Sequence, residues 1–115
     1  MNLTLLKCKI HRAVVTETDL EYNGSISIDQ NLLDQAGIYD NERVEIYNIT
    51  NGSRFATYAI PAARGSNKIG INGAAAHLTN EGDLVIICAY AQMNEKEARD
   101  FKPKVILLDN NNHII

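Results

Sequence analysis

Three Asn-Gly pairs, at 23–24, 51–52 and 72–73, cut this chain into apolar stretches too short for anything but strands and brief helices. Asn-Gly favours tight turns with positive φ, so each pair is expected to reverse the chain between neighbouring elements. Between the turns the hydrophobic period is close to two. Val44 and Ile46 alternate with Glu45 and Tyr47, and Ile26 and Ile28 alternate with serines over Ser25 to Asp29. Leu84 to Ala91 and Val105 to Leu108 are unbroken apolar runs, the pattern of strands buried on both faces. Helix signals are few. One helix is expected from about Gln30 to Ala36, with Asp29 to cap it and Gly37 to end it. A second is expected over Glu95 to Phe101, where Asn94 and Glu97 form a capping box and Pro103 blocks continuation. A single further turn fits Gly73 to His77. Many short strands with a few short helices predict a mainly β domain, a small closed barrel. The polar tail Asn110-Asn111-Asn112-His113 is expected to mark the end of the ordered domain.

A length of 115 residues suits one domain with a single core. Such a chain buries roughly two-thirds of the surface that its unfolded form exposes. Hydrophobic residues make up 45% and charged residues 22%, with the signs mixed, which excludes a disordered chain. With 11 basic residues against 14 acidic ones and a net charge of −3, there is no bulk attraction for nucleic acid, and any anion site has to be local. No stretch approaches the roughly 18 apolar residues of a membrane span, and the first ten residues lack the length and cleavage pattern of a signal peptide. Cys8 and Cys88 form no CxxC pair and read as reduced packing residues. The expectation is a cytoplasmic protein with no membrane partner.

The inventory of reactive residues leaves the chemistry open. Gly-Ser occurs at 24–25, 52–53 and 65–66, and such a dipeptide is ordinarily a turn. His11, His77 and His113 lack metal-ligand spacing, so no metal is expected. No nucleophile elbow, phosphate loop or paired-carboxylate pattern is present. Cys8 lies between Lys7 and Lys9, charges that lower a thiol pKa, yet a lone strand cysteine is more often a small buried hydrophobe.

Longer blocks carry more. The first is Lys9-Ile10-His11-Arg12-Ala13, followed by Asp19-Leu20-Glu21-Tyr22-Asn23-Gly24-Ser25-Ile26-Ser27-Ile28-Asp29. Next come Asn51-Gly52-Ser53-Arg54-Phe55-Ala56-Thr57-Tyr58-Ala59-Ile60, Arg64-Gly65-Ser66, and Ile71-Asn72-Gly73-Ala74-Ala75-Ala76-His77, trailed by Gly82-Asp83-Leu84-Val85-Ile86. In order and spacing these blocks resemble the aspartate 1-decarboxylase family, and the likeness covers nearly the whole chain. It departs at Cys8, where family members often have a small residue, and at Pro61, where proline is not expected. The resemblance implies a double-psi β-barrel assembled as a homotetramer, with active sites between neighbouring subunits.

It also implies that the chain makes its own cofactor. Removing CO2 from an amino acid at its α-carbon leaves an electron pair that no ordinary side chain accepts, so a carbonyl cofactor is needed. By resemblance, Ser25 Oγ attacks the carbonyl of Gly24 and turns the amide into an ester. Elimination then separates residues 1–24 from 25–115, and hydrolysis of the dehydroalanine leaves a pyruvoyl group at position 25. Glycine before the serine removes a Cβ from the path of attack and tolerates an unusual backbone angle. The resemblance assigns Thr57 to the oxyanion of that step. In the mature enzyme the ketone takes L-aspartate as a Schiff base and releases β-alanine, the precursor of pantothenate. Lys9 and Arg54 are implied to hold substrate carboxylates, and Tyr58 to return a proton to Cα. Gly73, Ala74 and Ala75 are implied to contact substrate, Asn72 to support it, and His11 and Tyr22 to lie near by. Taken singly, each of these residues has a plainer reading, as a solvated charge, a strand aromatic or a turn.

Two rival readings stand beside this one. A non-enzymatic β-barrel binding module would use Gly24–Ser25 only as a turn, and fold alone does not decide against it. A pyruvoyl enzyme for another amino acid is disfavoured by Arg54 and Lys9, which suit a dicarboxylic substrate.

Overall fold

The computed structural model describes residues 1–115. Strands β1 (Asn2–Val14), β2 (Glu17–Asp19) and β3 (Ser25–Asp29) lead into helix α1 (Gln30–Ala36). Then follow β4 (Arg43–Asn48), β5 (Arg54–Ala62), β6 (Ile69–Asn72) and a 3-10 helix (Gly73–Leu78). The chain ends with β7 (Leu84–Asn94), α2 (Glu95–Asp100) and β8 (Lys104–Leu107). The expected mainly β domain with a few short helices is what forms.

The strands lie in the order β2-β6-β3-β5-β4-β7-β1-β8. Three pairings are parallel (β1 with β8, β2 with β6, β3 with β5) and the rest are antiparallel. No ladder joins β2 to β8; the chain itself joins the two halves. β1 passes into β2 through Val15, whose N–H donates to Asp83 O at 2.9 Å, and Thr16, whose N–H donates to Ile69 O at 2.8 Å. The sheet therefore curls around one core. Its inner face is built at matched levels: Ile10 opposite Ile87, Ile87 opposite Ile46, and Ile26 opposite both Ile71 and Ala59, all fully buried. Two register shifts interrupt β1, between Leu6 and Cys8 and between Ile10 and Ala13. At the second, Arg12 takes a φ of +67°, the mark of a bulge that lets Ile10 and Ala13 both face inward.

Asp29 joins strand to helix. Its carboxylate accepts from Asn31 N (2.8 Å) and Gly65 N (3.0 Å) through Oδ1, and from Asn67 N (2.8 Å) through Oδ2. Gly37 ends α1 in the left-handed region, and Asn94 with Glu97 completes the capping box of α2.

Three expectations are corrected. Gly52 and Gly73 have positive φ, but Gly24 does not, so the 23–24 pair does not turn the chain in that way. Val105 to Leu108 is not buried on both faces: β8 ends the strand order, Ile106 and Leu108 face inward, and Val105 and Leu107 face out. The tail is not loose. Asn112 is buried with φ +59°, and its amide accepts from Val14 N (2.7 Å) while donating to Val14 O (2.9 Å) and Asn67 O (3.0 Å). Cys8 is the small buried hydrophobe expected of a lone strand cysteine: burial raises the thiol pKa, and the lysine charge offsets only part of it.

Burial would raise the pKa of Asp29, but the three backbone donors and the nearby Arg64 charge outweigh it and hold the carboxyl below its usual value. A depressed folded-state pKa stabilises the fold above the unfolded value of about 3.9 and loses that contribution as pH falls through it. Asp29→Asn, which removes the charge and sets an NH2 donor against at least one of the three backbone donors, should lower unfolding stability by about 2 kcal/mol at pH 7. Urea denaturation at pH 7 and pH 3.5 should also show a smaller acid loss for the variant than for the parent.

Candidate active site

The site is organised by the start of β3. Burial of Ile26 and Ile28 against Ile71 and Ile69 sets the antiparallel register with β6, and this register places Ser25 opposite Asn72 and Ser27 opposite Gly70. All five residues of β3 are buried, so the two serines do not face water as their alternation suggests. They turn instead toward Asn72, whose Nδ2 donates to Ser25 Oγ and to Ser27 Oγ, both at 3.0 Å. Ser25 Oγ donates in turn to Asn23 O at 3.0 Å. The hydroxyl is thus held at a fixed rotamer, one residue from the Gly24 carbonyl, with no side-chain base touching it.

Gly24 itself is roomy, with nothing within 4 Å of where a Cβ would stand. The tight position is Gly73, at the first residue of the 3-10 helix. A Cβ there would lie 2.6 Å from Gly24 Cα, 2.8 Å from Gly24 N and 3.2 Å from Tyr22 O, and the φ of +74° already disfavours a side chain. Gly73 therefore lets the 3-10 helix close against the segment 22–24. Ala75 and the exposed Ala74 follow it. A surface cavity of about 300 Å³ opens beside this cluster, lined in part by Tyr22, Ser27, Asn72, Asp19 and Lys68.

Strand alternation sorts the remaining candidates. On β5, Ala59 faces the core and Thr57 pairs with the fully buried Val44, which places Thr57 on the inner side. Arg54 and Tyr58 lie on the outer face, Tyr58 at the position next to Ala59, the partner of Ile26. Lys9 is outer as well, level with Cys88 on β7 and Glu45 on β4. Within the chain, however, these residues are not gathered at Ser25. Arg54 is four residues from Tyr58, roughly 13 Å along a strand, and Lys9 is four strands from β3 in the sheet order. The single chain thus brings together Ser25, Gly24, Tyr22, Asn72 and Gly73, and leaves Lys9, His11 and Arg54 in a second group.

That second group has its own electrostatics. His11 Nδ1 is buried without a hydrogen-bond partner in the chain. Burial lowers the imidazole pKa, and the charges of Lys9 and Arg12 lower it further, so the ring is neutral at pH 7. Arg54 stacks on Tyr47, its guanidinium carbon 3.9 Å from the ring centre. Tyr47 and Tyr90 share a hydroxyl hydrogen bond of 2.8 Å that spans Cys88. Ser27, Tyr47 and Tyr90 did not stand out from the sequence. The spacing of Ser27 two residues after Ser25 was the one available signal. No group of three or more His, Cys, Asp or Glu side chains converges in a way that suits a metal, and no helix is long and apolar enough to cross a membrane.

Comparison with known proteins bears on the same residues. The family model described as aspartate decarboxylase matches residues 1–115. The aspartate 1-decarboxylase of Caulobacter vibrioides is 59% identical over 114 residues, covering 99% of this chain and 97% of that protein. Those of Thioalkalivibrio sulfidiphilus and Maricaulis maris are 57% and 56% identical over 115 residues, covering 100% of this chain and 91% and 95% of their own lengths. At this coverage and identity the likeness spans both groups of candidate residues, and the chain belongs to the aspartate decarboxylase family.

Proposed function

We propose that this chain breaks its own Gly24–Ser25 bond and, with the pyruvoyl group so formed at position 25, decarboxylates L-aspartate to β-alanine and CO2, feeding pantothenate synthesis. The observation that carries the reading is the fixing of Ser25 Oγ between Asn72 Nδ2 and Asn23 O beside the Gly24 carbonyl, in a chain of this family.

In the self-cleavage step Ser25 Oγ bonds to the Gly24 carbonyl carbon and the peptide C–N bond breaks, leaving an ester and a free amine. Gly73 holds the 22–24 segment close, and Asn72 orients the nucleophile. Thr57, across β5, is the candidate donor to the oxyanion. Ser25 Oγ leaves with the Gly24 carboxylate on elimination, and Asn72 Nδ2, which approaches the side chain of residue 25, is then free to donate to a carbonyl formed there. That group supplies the electron sink which decarboxylation needs. The chain's own residues do the rest. Arg54 and Lys9 offer cationic donors for the two carboxylates, the backbone N–H groups of Gly73 to Ala75 face the substrate, and Tyr58 holds the proton delivered to Cα. His11 and Tyr22 border the site.

Because the Ser25 and Arg54 groups lie apart within one chain, the complete site forms between neighbouring subunits of a homotetramer. Exposed apolar side chains such as Leu20, Tyr22, Ile49, Val105 and Leu107 supply surface for such contacts. The protein is assigned to the cytoplasm. A non-enzymatic barrel module is the second reading, and nothing in the site favours it.

Denaturing mass spectrometry tests the central step. The purified parent should separate into residues 1–24 and 25–115, the larger piece reacting with a carbonyl reagent. Ser25→Ala should stay whole and release no CO2 from L-aspartate; cleavage in that variant would refute the assignment. Gly73→Ala, whose Cβ would collide with backbone, should fold but cleave roughly ten- to a hundred-fold more slowly, the effect of about 1–3 kcal/mol of strain. A cleavage time course followed by gel and circular dichroism measures both.

A further inference from the structure

Arg54 differs from the other arginines of the sheet and loops in what it touches. Arg43 pairs with Glu45 at 3.3 Å and Arg64 with Asp34 at 2.8 Å; Arg54, like Arg12 and Arg99, pairs with no carboxylate of the chain, but it alone of the five lies on an aromatic ring. Its guanidinium lies instead on the face of Tyr47, the residue directly opposite it on the neighbouring antiparallel strand β4. A stacked guanidinium is restrained by the ring while its N–H edge stays free for hydrogen bonds in its own plane. The ring is itself restrained. Tyr47 and Tyr90 stand on the outer face of adjacent strands, on either side of Cys88, and lean toward each other until their hydroxyls meet at 2.8 Å. Cys88 lies between them on the same face and is nonetheless only 3% exposed, covered by the pair.

We propose that Tyr47, braced by Tyr90, is a positioning residue that presents the edge of Arg54 to a substrate carboxylate. A free arginine side chain loses about 2 kcal/mol of rotamer entropy when it is immobilised by a ligand. Stacking removes part of that cost before substrate arrives, so the brace acts on binding and not on the chemical step. The inference rests on the proposed role of Arg54 in carboxylate binding.

The test is steady-state decarboxylation of L-aspartate by fully cleaved protein, with cleavage checked by mass spectrometry for each variant. Tyr47→Leu should raise KM roughly three- to ten-fold and leave kcat within about two-fold, the scale of a lost cation–π contact. Tyr47→Phe keeps the ring but loses the hydroxyl bond to Tyr90 and should raise KM about two-fold, less than Tyr47→Leu. In an Arg54→Ala background Tyr47→Leu should cost nothing further, because its effect passes through Arg54. An unchanged KM in Tyr47→Leu, an equal rise in Tyr47→Phe, or additive losses in the double variant would overturn the proposal. If Tyr47→Leu fails to fold, Tyr90→Phe, which removes one hydroxyl, replaces it: KM should rise about two-fold, and no change sinks the brace. Arg54→Ala with a parental KM would defeat the Arg54 reading itself, whereas a parent protein that neither cleaves nor releases CO2 would defeat the proposed function.

Discussion

The ladder between β3 and β6 is the constraint on which the rest of the site depends. Side chains alternate along a strand, so a slip of one residue would drive Ser25 and Ser27 into the core and expose Ile26 and Ile28. Four isoleucines, Ile26, Ile28, Ile69 and Ile71, are fully buried on one side of this pair and forbid the slip. The same register puts Asn72 opposite Ser25, which allows one amide to serve both serine hydroxyls. It also sets where β6 ends, and so where Gly73 begins the 3-10 helix against Gly24. Hydrophobic burial on one face thus fixes polar geometry on the other, to within the few tenths of an ångström that a hydrogen bond allows.

The outer face divides into two territories. Around β3 and β6 lie the scissile segment and the groups that touch it. Across β1, β4, β7 and the start of β5 lie Lys9, Cys88, Glu45, Tyr47 and Arg54, tied together by stacking and a tyrosine pair. Neither territory is sufficient for the proposed reaction. The first has a nucleophile, but its nearby cation, Lys68, is already paired with Glu17 at 2.7 Å, and the second has cations without a carboxylate partner but no electrophile. Such a division is what the proposed assembly would resolve, by bringing one subunit's cations to another's residue 25.

Local chemistry was the part legible in the sequence. The span Gln30–Ala36 with its Asp29 and Gly37 caps, the Asn94 capping box and the short turn at Gly73 all depend on neighbours within a few residues, and all formed. What could not be read depends on contacts distant in the chain. Asn112 looked like part of a polar tail because its three partners belong to Val14 and Asn67, up to 98 residues away. Val105 and Leu107 looked like core because an apolar run does not state that its strand has an outward face. The blocks Lys9–Ala13, Asp19–Asp29 and Asn51–Ile60 named the family, yet the reason for Gly73 became visible only when the backbone of Gly24 was found beneath it.

The place of the proposed break also follows from packing. Ser25 is the first residue of a wholly buried strand, whereas Tyr22, Asn23 and Gly24 before it are exposed and belong to no ladder. A cut between 24 and 25 therefore severs the chain at the border between a rigid strand and a yielding turn. It leaves the pairings of Ile26 to Asp29 intact. The freed segment is not lost either, because β1 lies between β7 and β8 in the sheet and sends Cys8, Ile10 and Ala13 into the core. Had the Gly-Ser pair at 52–53 been the reactive one, its hydroxyl would have stood on an exposed turn, with no buried amide to orient it. Of the three such dipeptides, only the one at 24–25 joins an exposed peptide outside any ladder to a hydroxyl oriented by a buried amide.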